Sequence, residues 1–111
     1  MKIYNTTILF TGDMTDDEER DVLKKYGKRI DSDILKVAHH GSDTSSTKEF
    51  INLVSPKYSI ISVSKNNSYG LPKKEIVDRL LGLSKVYMTK DCGNIDIYVS
   101  KEGVVVSPYI N

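Results

Sequence analysis

The sequence predicts an α/β fold, and three observations carry that prediction. A short apolar run, a polar loop and a helix-spaced stretch follow one another three times over. Recognisable start or stop signals bracket each of the three helical stretches. Two β-rich runs close the chain around a short polar turn, the pattern of an antiparallel hairpin. Strand-helix-strand units joined right-handedly give parallel neighbours. The expected architecture is therefore a mixed sheet with three helices and a C-terminal β-hairpin.

Ile3 to Phe10 reads as the first strand, broken by Thr11-Gly12-Asp13-Met14. Thr15-Asp16-Asp17-Glu18 reads as a capping box, and its acidic residues suit the positive end of a helix. That helix is expected to run to about Tyr26, with Val22, Leu23 and Tyr26 inward and Gly27 as its stop. Lys28 to Asp33 is a polar connection. Ile34 to Ala38 is a short strand with little alternation, as expected when both faces are covered. After His39-His40-Gly41-Ser42 and a polar loop, Ser46-Thr47-Lys48-Glu49 reads as a second capping box. Its helix is expected to bury Phe50, Leu53 and Val54 and to end before Pro56. Lys57 to Ser64 is the third strand. Pro72 suits the first position of the third helix, whose apolar face is Ile76, Val77, Leu80 and Leu81, with Gly82 at its end. Lys85 to Thr89 is a fourth strand. Asn94 to Val99 and Val104 to Ile110 pair around Ser100-Lys101-Glu102-Gly103.

A chain of 111 residues suits one domain. Sixteen basic and fifteen acidic residues leave a net charge of +1, which gives no electrostatic footprint for nucleic acid or an anionic membrane. A phosphate-containing substrate remains compatible, because a metal can supply positive charge. Cys92 is the single cysteine, so no intrachain disulfide forms, and packing explains it better than chemistry. No apolar run approaches the roughly 20 residues that span a bilayer. The N-terminus lacks a signal-peptide core. The expected location of the isolated chain is the cytoplasm.

Parallel strands place all three strand-to-helix loops at one sheet edge, where open α/β sheets bind ligands. Asp13, His39, His40, Asn66, Asn67 and Tyr69 are then neighbours, although they are far apart in sequence. His39 and His40 are the only histidines. Neutral imidazole is the commonest metal ligand, but adjacent histidines in a loop serve equally well as caps for backbone groups. If extended, they point to opposite sides, so one ligates while the other contacts substrate or acts as a general acid. Gly41 permits close backbone approach and Ser42 adds a hydroxyl. Asp13 can supply a carboxylate ligand, though Gly-Asp after a strand is more often a turn. The Asn66-Asn67-Ser68-Tyr69-Gly70 loop is either a polar turn or the substrate side of the site.

Thr11-Gly12-Asp13, Leu35-Lys36-Val37-Ala38-His39-His40-Gly41-Ser42, and Ile60-Ile61-Ser62-Val63 leading to Asn66-Asn67-Ser68-Tyr69-Gly70 together resemble the C-terminal half of metallo-β-lactamase-fold hydrolases. The nearest likeness is to the metallohydrolase domain of the ComEC competence-protein family. The resemblance implies half of an αββα sandwich with a site for two zinc ions at the sheet edge. It implies Asp13 as the bridging carboxylate and His40, the histidine followed by glycine, as the last histidine ligand. His39 then faces the substrate phosphate or leaving group, an assignment that can be reversed. Ser42 joins it in steadying a developing oxyanion, and Asn67 and Tyr69 line the substrate side. Two features depart from the family. Its His-x-His-x-Asp-His motif and a further upstream histidine have no counterpart here. Where relatives read Tyr-Gly-His-Pro, this chain reads Tyr69-Gly70-Leu71-Pro72.

The expected function is thus that of the C-terminal fragment of a zinc-dependent hydrolase, phosphodiesterase- or nuclease-like and linked to DNA uptake, with little activity alone. Its partner is the missing N-terminal half of the fold or a second copy, and its parent is membrane-associated. The alternative is a non-catalytic α/β module that self-associates over an uncovered sheet face. A nucleotide-binding or receiver-like domain is a weaker reading, because no Gly-rich phosphate fingerprint opens any helix.

Overall fold

Four strands run parallel in sequence order, and this single fact places everything else. A computed structural model describes residues 2–3, 6–12, 14–43, 45–63, 70–89 and 95–108. The strands are β1 (Lys2–Ile3), β2 (Thr6–Phe10), β3 (Ile34–Lys36), β4 (Tyr58–Ile61) and β5 (Lys85–Met88), in the spatial order β1-β2-β3-β4-β5. β1 is antiparallel to β2, and β2 to β5 are mutually parallel. The helices α1 (Asp16–Tyr26), α2 (Lys48–Val54) and α3 (Lys74–Leu81) lie in the three crossovers. β6 (Ile95–Ser100) and β7 (Gly103–Pro108) form a separate antiparallel hairpin.

The period-2 alternation of the strands assigns the faces. Leu35, Val37, Ile61 and Val63 share a core with Phe50, Ile51 and Val54 of α2 and Ile76 and Leu80 of α3, with Val22 and Leu23 of α1 packed against it. Ile8, Ile34 and Ile60 point the other way, into a second cluster with Ile95, Ile97, Val104 and Val106 of the hairpin. All three helices therefore cover one face, as follows when sequential strands are joined by crossovers of one hand. The hairpin covers the other face. Within the hairpin the alternation repeats, and Tyr98 and Val105 face outward as a cross-strand pair. Each fully buried Leu, Ile or Phe contributes about 1.5–3 kcal/mol, so the helix-side cluster is the main store of stability.

Asp33 fixes the opposite edge of the sheet, where the strands begin. Its carboxylate accepts from the Thr7 N–H at 2.9 Å, and its carbonyl accepts from Lys57 and Tyr58 at 2.8 and 3.1 Å. Ser59, fully buried, shares a 2.7 Å hydrogen bond with Ser84, whose hydroxyl also reaches the Leu80 carbonyl. These bonds tie β4 to the end of α3 and set the start of β5.

Several local expectations are corrected. Ile3 to Phe10 is two antiparallel strands, with Ile3 opposite Thr6. Neither capping box forms as expected. The Thr15 hydroxyl bonds the Glu18 carboxylate at 3.3 Å and caps no backbone group. The N-cap of α2 is Thr47, one residue later than Ser46, and it accepts from the Phe50 N–H at 3.3 Å. Pro72 precedes the N-cap Lys73 of α3, so it leads into the helix without joining it. Tyr26 is 42% exposed, with Lys25 and Arg29 over its ring, because α1 turns its buried stripe through Glu19 instead. Leu81 is 57% exposed, beyond the stripe set by Ile76 and Leu80. The stops at Gly27, before Pro56 and at Gly82 are as expected, and so is the hairpin turn, where Ser100 pairs with Gly103. Among the described residues, no helix is long and apolar enough to cross a membrane.

Candidate functional site

The parallel strands bring the Thr11-Gly12 turn and the histidine turn to the same sheet edge. β2 ends at Phe10, and the Thr11 hydroxyl then donates to the Lys36 carbonyl at 2.5 Å, pinning the turn to β3. The Thr11 carbonyl accepts from the Met14 N–H at 3.0 Å, which closes the turn. Asp13 lies outside the described residues, between the described Gly12 and Met14.

β3 extends its ladder by one bond, Val37 N–H to Ile60 O at 2.9 Å, before the chain coils into a 3₁₀ turn over Ala38–Gly41. The extended arrangement assumed for the two histidines is therefore replaced by a helical turn. Of His39 the structure describes the backbone, in the middle of that turn. His40 adopts φ 53°, a left-handed conformation that costs a non-glycine residue of the order of 1 kcal/mol and persists where surroundings enforce it.

The enforcing contact is on the imidazole. His40 Nδ1 lies 2.5 Å from the carbonyl oxygen of Ser62, just past the end of β4. A carbonyl only accepts, so Nδ1 carries a proton, and in the neutral ring Nε2 keeps its lone pair. Donation from one ring nitrogen to a carbonyl is the arrangement that orients metal-ligating histidines and fixes their tautomer. His40 as a residue is exposed.

Gly41 explains why the turn ends where it does. Its φ is 84°, and a Cβ built on it would overlap the Cβ of Pro72. Its carbonyl accepts from the Lys73 N–H at 3.0 Å. The loop before α3 thus docks on the histidine turn, and the absence of a side chain at position 41 permits that approach. Ser42 follows, half-buried. Asn67 and Tyr69 lie outside the described residues, between Val63 and Gly70 in sequence.

The far side of the histidine loop is anchored by a residue that sequence reasoning missed. Glu19 of α1 is fully buried, and its carboxylate accepts from the N–H groups of Ser46 and Thr47 at 2.6 and 2.9 Å. Arg79 of α3 donates to the Ser46 carbonyl at 2.6 Å. Three helices therefore meet at Ser46, which itself has φ 59°. Burial raises the Glu19 pKa above its usual carboxylate value, and the hydrogen bonds from Thr47 and Ser46 oppose that rise. The available signal was its position: Glu19 falls on the helix face of Leu23, where an acidic residue needs a partner.

Zinc takes imidazole nitrogen and carboxylate oxygen, and a catalytic ion takes about three protein ligands. The oriented Nε2 of His40 fits such an ion. Among the described residues, no three His, Cys, Asp or Glu side chains come together.

This chain is similar to several known proteins. It is 37% identical over 105 residues to ComE operon protein 3 of Bacillus subtilis, which covers 91% of this chain and 13% of that protein. It is 38% identical over 73 residues to competence protein ComA of Neisseria gonorrhoeae, covering 66% of this chain and 11% of that one. It is 34% identical over 74 residues to recombination protein 2 of Haemophilus influenzae, covering 67% of this chain and 9% of that one. The chain thus spans about a tenth of the length of the curated relatives it matches. No protein-family model and no solved structure matches it.

Proposed function

We propose that this chain is the C-terminal part of a metal-dependent phosphodiesterase domain of the metallo-β-lactamase type, serving DNA uptake as a segment of a ComEC-like competence protein. The observation that carries the reading is the His40–Ser62 contact, which presents Nε2 at the strand C-terminal edge. The names of the similar proteins, one a competence protein and one a recombination protein, support the link to DNA. His40 and Asp13 would hold zinc, which when bound supplies Lewis-acid polarisation of a phosphoryl oxygen. His39 and Ser42 then contact the phosphoryl group or the leaving oxygen, and Asn67 and Tyr69 line the substrate side. A preceding segment contributes the remaining ligands.

The test compares zinc content and cleavage of single-stranded DNA by the 111-residue chain and by a longer chain carrying the segment that precedes it in the source genome. The longer chain is expected to retain zinc and cleave, the shorter to do neither efficiently. His40→Ala in the longer chain lowers zinc affinity at least about tenfold. A longer chain without zinc uptake or cleavage overturns the reading. A 111-residue chain that retains about two zinc ions and cleaves overturns the claim that it is only part of the site.

A further inference from the structure

The chain is almost neutral, but its cations are not spread evenly. Four of the six residues from Lys24 to Arg29 are cations and none is an acid. They lie at the C-terminal end of α1 and in the 3₁₀ turn Gly27–Ile30 that follows it. α1 is polar along its length: Asp16, Asp17, Glu18 and Glu19 fill its first turn, Lys24 and Lys25 its last. Averaged over the chain the two ends cancel, so the net charge conceals the basic one.

The helix dipole accounts for Lys24 and Lys25, but its effect fades within the last turn and does not account for the rest. Lys25 Nζ and Arg29 Cζ lie 5.3 and 5.6 Å from the centroid of the Tyr26 ring. One exposed ring therefore gathers two cations. Arg29 also donates to the Lys25 carbonyl at 3.4 Å, and a guanidinium has five donors, so most remain for a ligand. Among the described residues, no carboxylate pairs with Lys24, Lys25 or Arg29, whereas Arg20, Lys57 and Lys74 each have one. Like charges held together repel, and an anion set between them turns that repulsion into attraction. The turn is firmly based: Ile30 is buried in the helix-side core, and its carbonyl accepts from the Ser32 hydroxyl at 2.9 Å. No exposed aliphatic side chain accompanies these cations, which a bilayer-binding surface would need.

We infer that this corner is a docking patch for the phosphate backbone of a nucleic-acid strand, with Lys25 and Arg29 clasping one phosphate and Tyr26 holding the two cations together. The choice of polyanion rests on the DNA-uptake phosphodiesterase reading. In the αββα sandwich of that reading the helices are the outer layer, so a preceding half packed on the opposite sheet face leaves the patch open. α1 has 11 residues, which sets the patch about 16 Å along the helix from the histidine edge. It anchors the strand outside the site, and the reacting phosphate is left to the residues of that edge.

The test titrates the 111-residue chain with a short thymidylate oligonucleotide at several salt concentrations, reading affinity and backbone amide shifts. Shifts are expected from Lys24 to Ile30. Lys25→Gln combined with Arg29→Gln is expected to weaken binding about tenfold and to reduce the salt slope by about 0.7, the loss of one phosphate contact on a single strand. Lys85→Gln combined with Lys101→Gln, which removes two exposed cations elsewhere, leaves the slope unchanged. Tyr26→Leu weakens binding about two- to fivefold with the slope kept, and Tyr26→Phe, which retains the ring, binds as wild type. Absence of binding, shifts confined to other surfaces, or an equal loss in the Lys85 and Lys101 variant overturns the patch. Binding to phosphatidylglycerol vesicles without binding to the oligonucleotide overturns it as well. The phosphodiesterase reading fails separately, through zinc uptake and cleavage by the longer chain. A longer chain that cleaves while its Lys25→Gln, Arg29→Gln variant binds DNA unchanged retains the enzyme and removes the patch.

Discussion

Glu19 caps a helix other than its own: its carboxylate accepts the Thr47 N–H at 2.9 Å, and Thr47 is the N-cap of α2. The same carboxylate takes the Ser46 N–H, so two donors that a helix start leaves unmatched are satisfied from α1. Removing it strands both. Glu19→Ala is expected to cost about 2–4 kcal/mol in urea unfolding, well above an exposed surface substitution. A cost under about 0.5 kcal/mol would show that water replaces the carboxylate without penalty.

The raised Glu19 pKa also has a sign. Folding holds the proton more tightly than the unfolded chain does, so between the usual value of 4.5 and the raised folded value the native state binds more protons. The stabilisation from this linkage is fully present below pH 4.5 and is lost as pH rises through the folded pKa. The stability difference between wild type and Glu19→Gln, which cannot titrate, should therefore move against wild type over that window. A difference that is flat with pH, or that moves towards wild type, contradicts the assignment.

His40 should hold one tautomer. Because Ser62 presents a carbonyl, the neutral ring carries its proton on Nδ1. Nitrogen-15 shifts of the imidazole are expected to show a protonated Nδ1 and an unprotonated Nε2 at high pH. The reverse pattern would remove the oriented lone pair on which the metal reading rests.

Gly41→Ala places a methyl group against Pro72 at a φ of 84°. The combined overlap and left-handed strain should cost about 2–4 kcal/mol, read as a lower unfolding midpoint in urea. The Lys73 amide, bonded to the Gly41 carbonyl, should lose exchange protection in the same variant.

Ser45 supplies the contrasting case. It is buried, and its hydroxyl has no hydrogen-bond partner among the described residues. Ser45→Ala removes a desolvated polar atom that gains nothing, so stability is expected to change by less than about 0.5 kcal/mol or to rise. A loss beyond about 1 kcal/mol would reveal a bond to that oxygen.

The helix count, the parallel strands and the hairpin were legible because each rests on a repeated local pattern, and parallel pairing follows once strands and helices alternate. The same logic brought Thr11-Gly12 and His39-His40 to one edge. Glu19 was not legible for a physical reason. It sits among Asp16, Asp17 and Glu18, and the helix dipole accounts for a run of acids without asking which one is buried. Tyr26 was placed inward by spacing alone, whereas Glu19 and Leu23 share that stripe and the ring turns to Lys25 and Arg29. Lys36 was read as part of an apolar run.

Gly41 also sets a timetable. β2, β3 and α2 can meet through near-neighbour contacts, which form early because little chain has to be closed. The histidine turn reaches its final shape only when Pro72 and Lys73 arrive from beyond β4, some 30 residues later in sequence. On a ribosome, the scaffold of this edge would precede the edge itself, and the chemistry-bearing turn would set only after β4 had emerged and α3 had begun.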